Sequence, residues 1–122
     1  FAFTAGASVR YIDHEAGDDA HPGTSRERPW RHHPWDAAAT GRAAAERGVH
    51  TYVFKRGVVY RGALVGRDSG TAAEPVRLTS DPAWGLGDAE ISGAHRVAKP
   101  WRRVDGAELT RVGFPAVSGR KL

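Results

Sequence analysis

The segment from Val49 to Val65 constrains the fold of this chain more than any other part of the sequence. It consists of short runs of β-branched, aromatic and aliphatic residues that are interrupted by single glycines. Three runs are present: Thr51–Phe54, Val58–Tyr60 and Ala63–Val65, with Gly57 and Gly62 between them. Such residues favour strands, and glycine permits tight corners because it adopts positive φ without steric cost. A helix would not tolerate these glycines, so the segment predicts a sheet of short strands.

Strand patterns recur along the rest of the chain. We predict further strands at Val9–Ile12, Val76–Thr79 and Ala89–Ser92, and then at Arg96–Val97 with Trp101–Val104 and at Ala107–Val112. Arg67–Pro75 and Ser80–Asp88 are rich in turn-forming residues and are predicted to be loops. From Thr51 onward the predicted strands follow one another at intervals of about 10 to 15 residues without a helix between them, which is typical of a solenoid or an irregular sandwich.

One helix is predicted, before the strand-rich region. Asp36 is placed as its N-cap, and Ala37–Arg47 is dominated by alanine, the strongest helix former. Gly41 weakens the middle of this helix, and Gly48 stands where a glycine commonly ends one. We therefore expect a helix over about 36–47 that packs closely against an end of the sheet.

Composition describes one globular domain of 122 residues with 40% hydrophobic and 26% charged residues. No window approaches the roughly 18 to 20 apolar residues that span a bilayer, and the absence of cysteine excludes a disulfide framework. The chain starts at Phe1 with the small residues Ala2, Ala5, Gly6 and Ala7 close behind. This start fits a processed secretory product or an excised fragment, and we expect the protein to be exported.

The net charge of +4 is concentrated at one end of the chain. Residues 95–122 hold seven Lys/Arg against only Asp105 and Glu108, whereas the preceding part is about neutral. A basic tail attracts an acidic polysaccharide, an anionic surface or an acidic protein, although a solvated surface has the same composition. Specific nucleic-acid binding is disfavoured because the basic residues form no helical stripe and no known motif accompanies them.

Two groups of residues are candidates for metal binding. Asp13, Glu15, Asp18 and Asp19 supply hard oxygen ligands of the kind that hold Ca²⁺, but without the order of an EF-hand. The alternative for these carboxylates is hydrogen bonding to backbone amides in Asx turns. His32 and His33, with His14 or His21, are the other candidates. Adjacent side chains on an extended segment point in opposite directions, which disfavours one ion shared by His32 and His33.

Aromatic residues are the candidates for a sugar platform, because sugars stack on indole and phenol rings while arginine donates hydrogen bonds. The set comprises Trp30, Trp35, Trp84, Trp101, Tyr52 and Tyr60, with burial in the core as the alternative. Trp84, between Pro82 and Gly85, is expected to be the most exposed. No nucleophile elbow, phosphate loop or zinc signature is present. Paired carboxylates for glycoside hydrolysis would have to come from the loop residues Asp68, Glu74, Asp81 and Asp88.

An ordered series of short motifs resembles a known family. The matching residues are Tyr11-Ile12-Asp13, Gly17-Asp18-Asp19, Pro22-Gly23-Thr24, Pro29-Trp30, the Ala-rich stretch Ala37–Ala45, Gly48, Tyr52-Val53, Gly57, Tyr60-Arg61, Ser69-Gly70-Thr71, Glu74-Pro75-Val76 and Ile91-Ser92-Gly93. Together they resemble the N-terminal cap and first coils of right-handed parallel β-helix proteins of the pectate-lyase-like superfamily. The resemblance covers about residues 9–94. It departs from the family pattern at His21, at His32–Trp35 and at Val49-His50.

The resemblance implies a mainly β fold, namely a short right-handed parallel β-helix or a derivative with one N-terminal capping helix. Residues 1–48 would form the cap, 49–97 the β-coils and 98–122 a basic tail. The expected function is a non-catalytic module of an exported carbohydrate-active system that contacts acidic polysaccharide. Its expected ligand-binding residues are Trp84, Trp101, Arg96, Arg102 and Arg103.

Two other functions stay open. One is a structural or accessory subunit whose basic tail and open solenoid end pack on a protein partner, either another chain or a copy of itself. The other is a fragment of a polysaccharide lyase or glycoside hydrolase. No cofactor is expected beyond Ca²⁺ at Asp13, Asp18 and Asp19.

Overall fold

Parallel sheets make up most of the regular structure. The computed structural model describes residues 8–95 and Val97, and contains five strands: β1 (Val9–Ile12), β2 (Thr51–Arg56), β3 (Val59–Arg61), β4 (Arg77–Gly85) and β5 (Glu90–Ser92). One sheet has the order β1-β2-β4 and the other pairs β3 with β5. Every strand pair is parallel. The predicted mainly β architecture is thereby confirmed.

The pairing repeats along the chain. Thr51 in β2 lies beside Arg77 in β4, 26 residues later, and Val59 in β3 lies beside Glu90 in β5, 31 residues later. The consecutive strands β2 and β3 are thus followed by β4 and β5, which lie beside them in the same order. Aligned residues in parallel strands point to the same side of their sheet, so the side chains of Thr51–Phe54 and of Val59–Arg61 each have a counterpart directly beside them.

The core lies where the inner faces of β1, β2 and β3 meet the preceding chain. It comprises Ile12, Trp30, Ala43, Val49, Tyr52, Phe54, Val58 and Tyr60. Phe54 and Tyr60 pack edge to face with ring centroids 4.8 Å apart. The Tyr60 hydroxyl lies 2.8 Å from the carbonyl oxygen of Ile12 and 3.1 Å from that of Lys55. The Tyr60 hydroxyl therefore connects β3 with β1 and β2 of the neighbouring sheet.

The helix, α1 (Gly41–Ala45), is shorter than predicted, and Asp36 is not its N-cap. Thr40 occupies that position, while Asp36 accepts a hydrogen bond from the Ala38 amide in a separate turn. Gly41 has a φ of +49°, which lies outside the right-handed helical region, so a helix cannot run through it. At the other end Glu46 is extended.

Two further predictions were wrong. Ala63–Val65 is not a strand, because the Val65 amide donates to the Trp35 carbonyl and Leu64 forms only a single bridge to Asp36. The predicted loop Ser80–Asp88 is strand as far as Gly85. There the register shifts, so that Ser80 lies beside Phe54 but Gly85 lies beside Arg56. The extra residues of β4 form a bulge, which interrupts the alternation that sequence patterns detect.

Gly57 and Gly85 are required at the corner where this bulge meets β2. Their φ angles are +78° and +86°, which glycine adopts far more readily than other residues. A side chain at Gly57 would collide with the Leu86 carbonyl, and one at Gly85 with that of Arg56. Among the described residues, no helix has the length and apolar character needed to cross a membrane.

Candidate functional site

The two sheet edges differ in how they are covered. On one side, an irregular segment of residues 18–35, which we call the closing segment, lies along β1. The Trp30 amide donates to the Tyr11 carbonyl, and the Tyr11 and Asp13 amides donate to Gly23 and Trp30, at 2.8 to 2.9 Å. The Trp30 indole is fully buried and donates to the His21 carbonyl at 2.7 Å. This edge of the sheet is therefore satisfied and dry.

Asp19 anchors the closing segment. Its carboxylate is buried and accepts hydrogen bonds from the amides of Arg31, His32 and Thr40 at 2.8 to 3.1 Å. The His32 Nδ1 lies 2.7 Å from the second oxygen. Burial alone would raise the pKa of Asp19, but the hydrogen bonds from His32 and Thr40 outweigh it and hold the pKa below its ordinary value of 3.8. The negative charge of Asp19 thus organises the backbone on both sides of the segment.

The carboxylates proposed to bind calcium are separately engaged. Asp13 is buried, accepts from the amides of Glu15 and Ala16, and pairs with Lys55 Nζ at 3.0 Å. Asp18 accepts from the Ala20 amide in an Asx turn. Asp13, Asp18 and Asp19 are not brought around one point, and the described part of the chain contains no group of three or more His, Asp or Glu that is arranged to hold a metal ion.

His32 and His33 point in different directions, as their adjacency on an extended segment predicts. His32 contacts Asp19 and lies edge to face with His14, whereas His33 is buried against Tyr52 and Phe54. Burial lowers the pKa of His33 to about 4. Burial likewise raises the pKa of Tyr52 to about 12. Neither His33 Nε2 nor the Tyr52 hydroxyl has a hydrogen-bond partner among the described residues, so both side chains are held in their neutral forms.

These titratable groups do not surround a substrate-sized space. His14, His32, His33 and Tyr60 line a cavity of only about 10 Å³. A cavity of that size is at the lower limit for a single water molecule. The cavity beside His32 is therefore too small for a sugar.

The other side of the molecule exposes inward-facing apolar residues. Leu78 lies beside Tyr52, and Ile91 lies beside Tyr60. Tyr52 and Tyr60 are 0% and 6% exposed, but Leu78 and Ile91 are 40% and 48% exposed. Between β4 and β5 is a hollow of about 270 Å³ lined by these two residues, Phe54, Thr79, Ser80 and Ala89. We call this surface the open end.

The aromatic sugar candidates are mostly buried. Trp30, Tyr52 and Tyr60 belong to the core. Trp84 is half-buried because the β4 bulge brings it edge to face with Tyr11, at 5.7 Å between ring centroids. Trp35 is also half-buried, and its indole nitrogen donates to Asp68 at 3.2 Å. With Asp36, Val65 and Arg67 it lines a surface hollow of about 240 Å³.

Four of the expected ligand-binding residues lie outside the described residues: Arg96, Trp101, Arg102 and Arg103. Sequence reasoning expected an open solenoid end but did not identify Leu78 and Ile91 as its exposed residues, and it missed the hollow beside Trp35. The alternation of Val76 and Leu78 was a signal for an inward face, but it carried no information about whether another strand covers that face. The hollow beside Trp35 arises from the contact of residues 35–37 with 63–67, which no local pattern reports.

Comparisons with protein-family models, with curated proteins and with solved structures found no match to this chain.

Proposed function

We propose that this chain forms the closed starting end of a right-handed parallel β-helix and serves as a non-catalytic module of an exported carbohydrate-active system. The parallel pairing of β2 with β4 and of β3 with β5 supports this proposal, because a solenoid lays each turn of chain beside the previous one in the same order. The closing segment would then be its cap, which a solenoid needs in order to hide apolar side chains and strand edges.

The observation that carries the proposal is the change in exposure from one strand pair to the next. Tyr52 and Tyr60 are covered, while their counterparts Leu78 and Ile91 face the solvent with nearly half of their surface. Burying apolar surface stabilises a protein by about 25 cal/mol per Å², so a continuous inward-facing row that ends uncovered favours a further layer on top. An experimental structure of the chain would test the proposal. A left-handed connection between β3 and β4 would contradict it.

Contact with acidic polysaccharide is the expected role of the exposed surface of this module. The hollow beside Trp35 supports it, because an indole stacks on a sugar ring and the Arg67 guanidinium can pair with a sugar carboxylate. Asp36 in the lining of this hollow would accept hydrogen bonds from sugar hydroxyls. Trp84 and the basic residues 96–121 are the further candidates for this contact.

Affinity electrophoresis tests the sugar contact. We expect the protein to migrate more slowly in a gel that contains polygalacturonate than in one that contains uncharged dextran. Trp35→Ala, Arg67→Ala and Trp84→Ala should each reduce the retardation. Leu86→Ala is the matched control, since Leu86 is highly exposed and distant from the hollow beside Trp35. Equal migration in both gels would contradict polysaccharide binding but not the β-helix.

An accessory subunit is the second candidate function, and the open end also favours it. A partner chain could cover Leu78 and Ile91 by adding a strand beside β4. Sedimentation of the purified chain distinguishes the two cases. A concentration-dependent increase in mass, abolished by Leu78→Asp, would favour an assembly through the open end, whereas a monomer at all concentrations would contradict self-association.

A further inference from the structure

One side of β4 has no neighbouring strand among the described residues. The Arg77 amide donates to the His50 carbonyl and therefore points toward β2. Because the N–H groups of successive residues in a strand point to opposite sides, the Leu78 amide points away from β2, where the described part of the sheet has no further strand. An uncovered edge of this kind readily pairs with another strand.

We propose that the strand beside β4 is the segment Trp101–Val104 of the same chain, which pairs with β4 and places Val104 over the open end. This inference rests on the β-helix proposed above. A second copy of the chain or a different protein at the open end would contradict it.

The spacing of the strands supports this occupant. The register between β2 and β4 advances by 26 residues, from Tyr52 to Leu78. The same advance from Leu78 leads to Val104, within one of the strand patterns of the sequence. Val104 would thus occupy the position that continues the inward-facing row of Tyr52 and Leu78.

Charge and volume also favour the segment. Asp88 and Glu90 are exposed beside the open end, whereas residues 95–122 carry seven Lys/Arg and two acidic residues. Attraction between these opposite charges would favour contact of the basic segment with the open end. The hollow of about 270 Å³ between β4 and β5 has room for the side chain of Val104.

Disulfide trapping tests the inference directly, because the chain contains no cysteine. We expect Leu78→Cys with Val104→Cys to form a disulfide within one chain under mild oxidation, since aligned residues of neighbouring strands lie within the reach of a disulfide. Leu86→Cys with Val104→Cys is the control, because Leu86 is 88% exposed and lies outside the lining of the open end. Its yield should be several-fold lower.

The other outcomes contradict either the occupant of the open end or the parallel sheet itself. A disulfide that links two chains would assign the open end to a second copy, and equal yields from both pairs would overturn the inference altogether. Val53→Cys with Thr79→Cys joins residues that are aligned between β2 and β4. If this pair fails to form a disulfide, the parallel sheet of the proposed β-helix is wrong. If it forms and the pair with Val104 does not, only the occupant is wrong.

Amide hydrogen exchange on the unmodified chain provides a test without substitutions. We expect the Leu78 amide to exchange as slowly as the Arg77 amide, because both would be hydrogen-bonded to a neighbouring strand. Exchange at Leu78 that is faster by about tenfold or more, as is usual for an amide without such a bond, would overturn the inference.

Discussion

The two outer strands of the three-stranded sheet, β1 and β4, differ in how their free edges and inner faces are covered. At the closed end, the backbone of β1 is hydrogen-bonded to Gly23 and Trp30, and the inner face is covered by the Trp30 indole. At the open end, β4 has no strand on its free side among the described residues, and Leu78 and Ile91 are exposed. Both ends present an outer strand of the same three-stranded sheet. The difference lies in the chain that covers them.

This contrast shows that an irregular segment can replace a strand when buried polar groups hold it in place. The closing segment forms only a single bridge to β1 and has no named strand. Its shape depends instead on Asp19, which accepts hydrogen bonds from three amides. A hydrogen bond to a charged acceptor is roughly twice as strong as one to a neutral acceptor, so Asp19 reinforces the backbone hydrogen bonds that join the closing segment to β1.

Removal of the covering indole should have the largest effect. Trp30→Ala deletes a fully buried side chain and its hydrogen bond to His21, and we expect it to lower the free energy of unfolding by about 3–5 kcal/mol. Denaturant unfolding followed by circular dichroism measures this loss. Leu86→Ala on an exposed turn should change stability by less than ~0.5 kcal/mol. Similar small losses in both variants would show that the closed end is not packed as described.

Acid should weaken the closed end through His33. The pKa of His33 is about 4 when folded, against 6.5 ordinarily, so below pH 6.5 the unfolded chain binds a proton that the folded chain does not. Stability should therefore be constant above pH 6.5, fall on the order of 3 kcal/mol as the pH decreases to about 4, and then level off. His33→Asn, which cannot titrate, should remove most of this slope in unfolding experiments between pH 7 and 4. An unchanged slope would contradict the burial of a neutral His33.

A smaller loss is expected when the anchor of the closing segment loses its charge. Asp19→Asn retains the shape but removes the charged acceptor, and we expect a loss of about 2 kcal/mol at pH 7. Because the pKa of Asp19 is lowered in the folded state, its contribution should be present above pH 3.8 and disappear as the pH falls further. Asp18→Asn is the control, since Asp18 is exposed and accepts a single bond. Equal losses of stability in the Asp19→Asn and Asp18→Asn variants would contradict the role of Asp19 as the anchor of the closing segment.

Local pattern predicted much of the strand content, but the site depended on contacts distant in sequence. Val9–Ile12, the strands after Val49 and the strand ending at Ser92 were recognisable because alternation and β-branched residues are local properties. The helix was predicted too long because the left-handed φ of Gly41 and the bond from Thr40 to Asp19 depend on a segment about 20 residues earlier. Trp84 was expected to be exposed, but the bulge in β4 packs it against Tyr11.

The sequence by itself determined where strands begin and which residues alternate, since these depend on side-chain shape and on the conformational freedom of glycine at positions such as Gly57. It also determined a charge excess confined to residues 95–122. Only the tertiary structure decided that Tyr52 is covered while Leu78 is exposed, although both occupy the same inward position. Burial depends on what lies beside a residue in space, and the position of a strand at the edge or in the middle of a sheet is not a property of the strand itself.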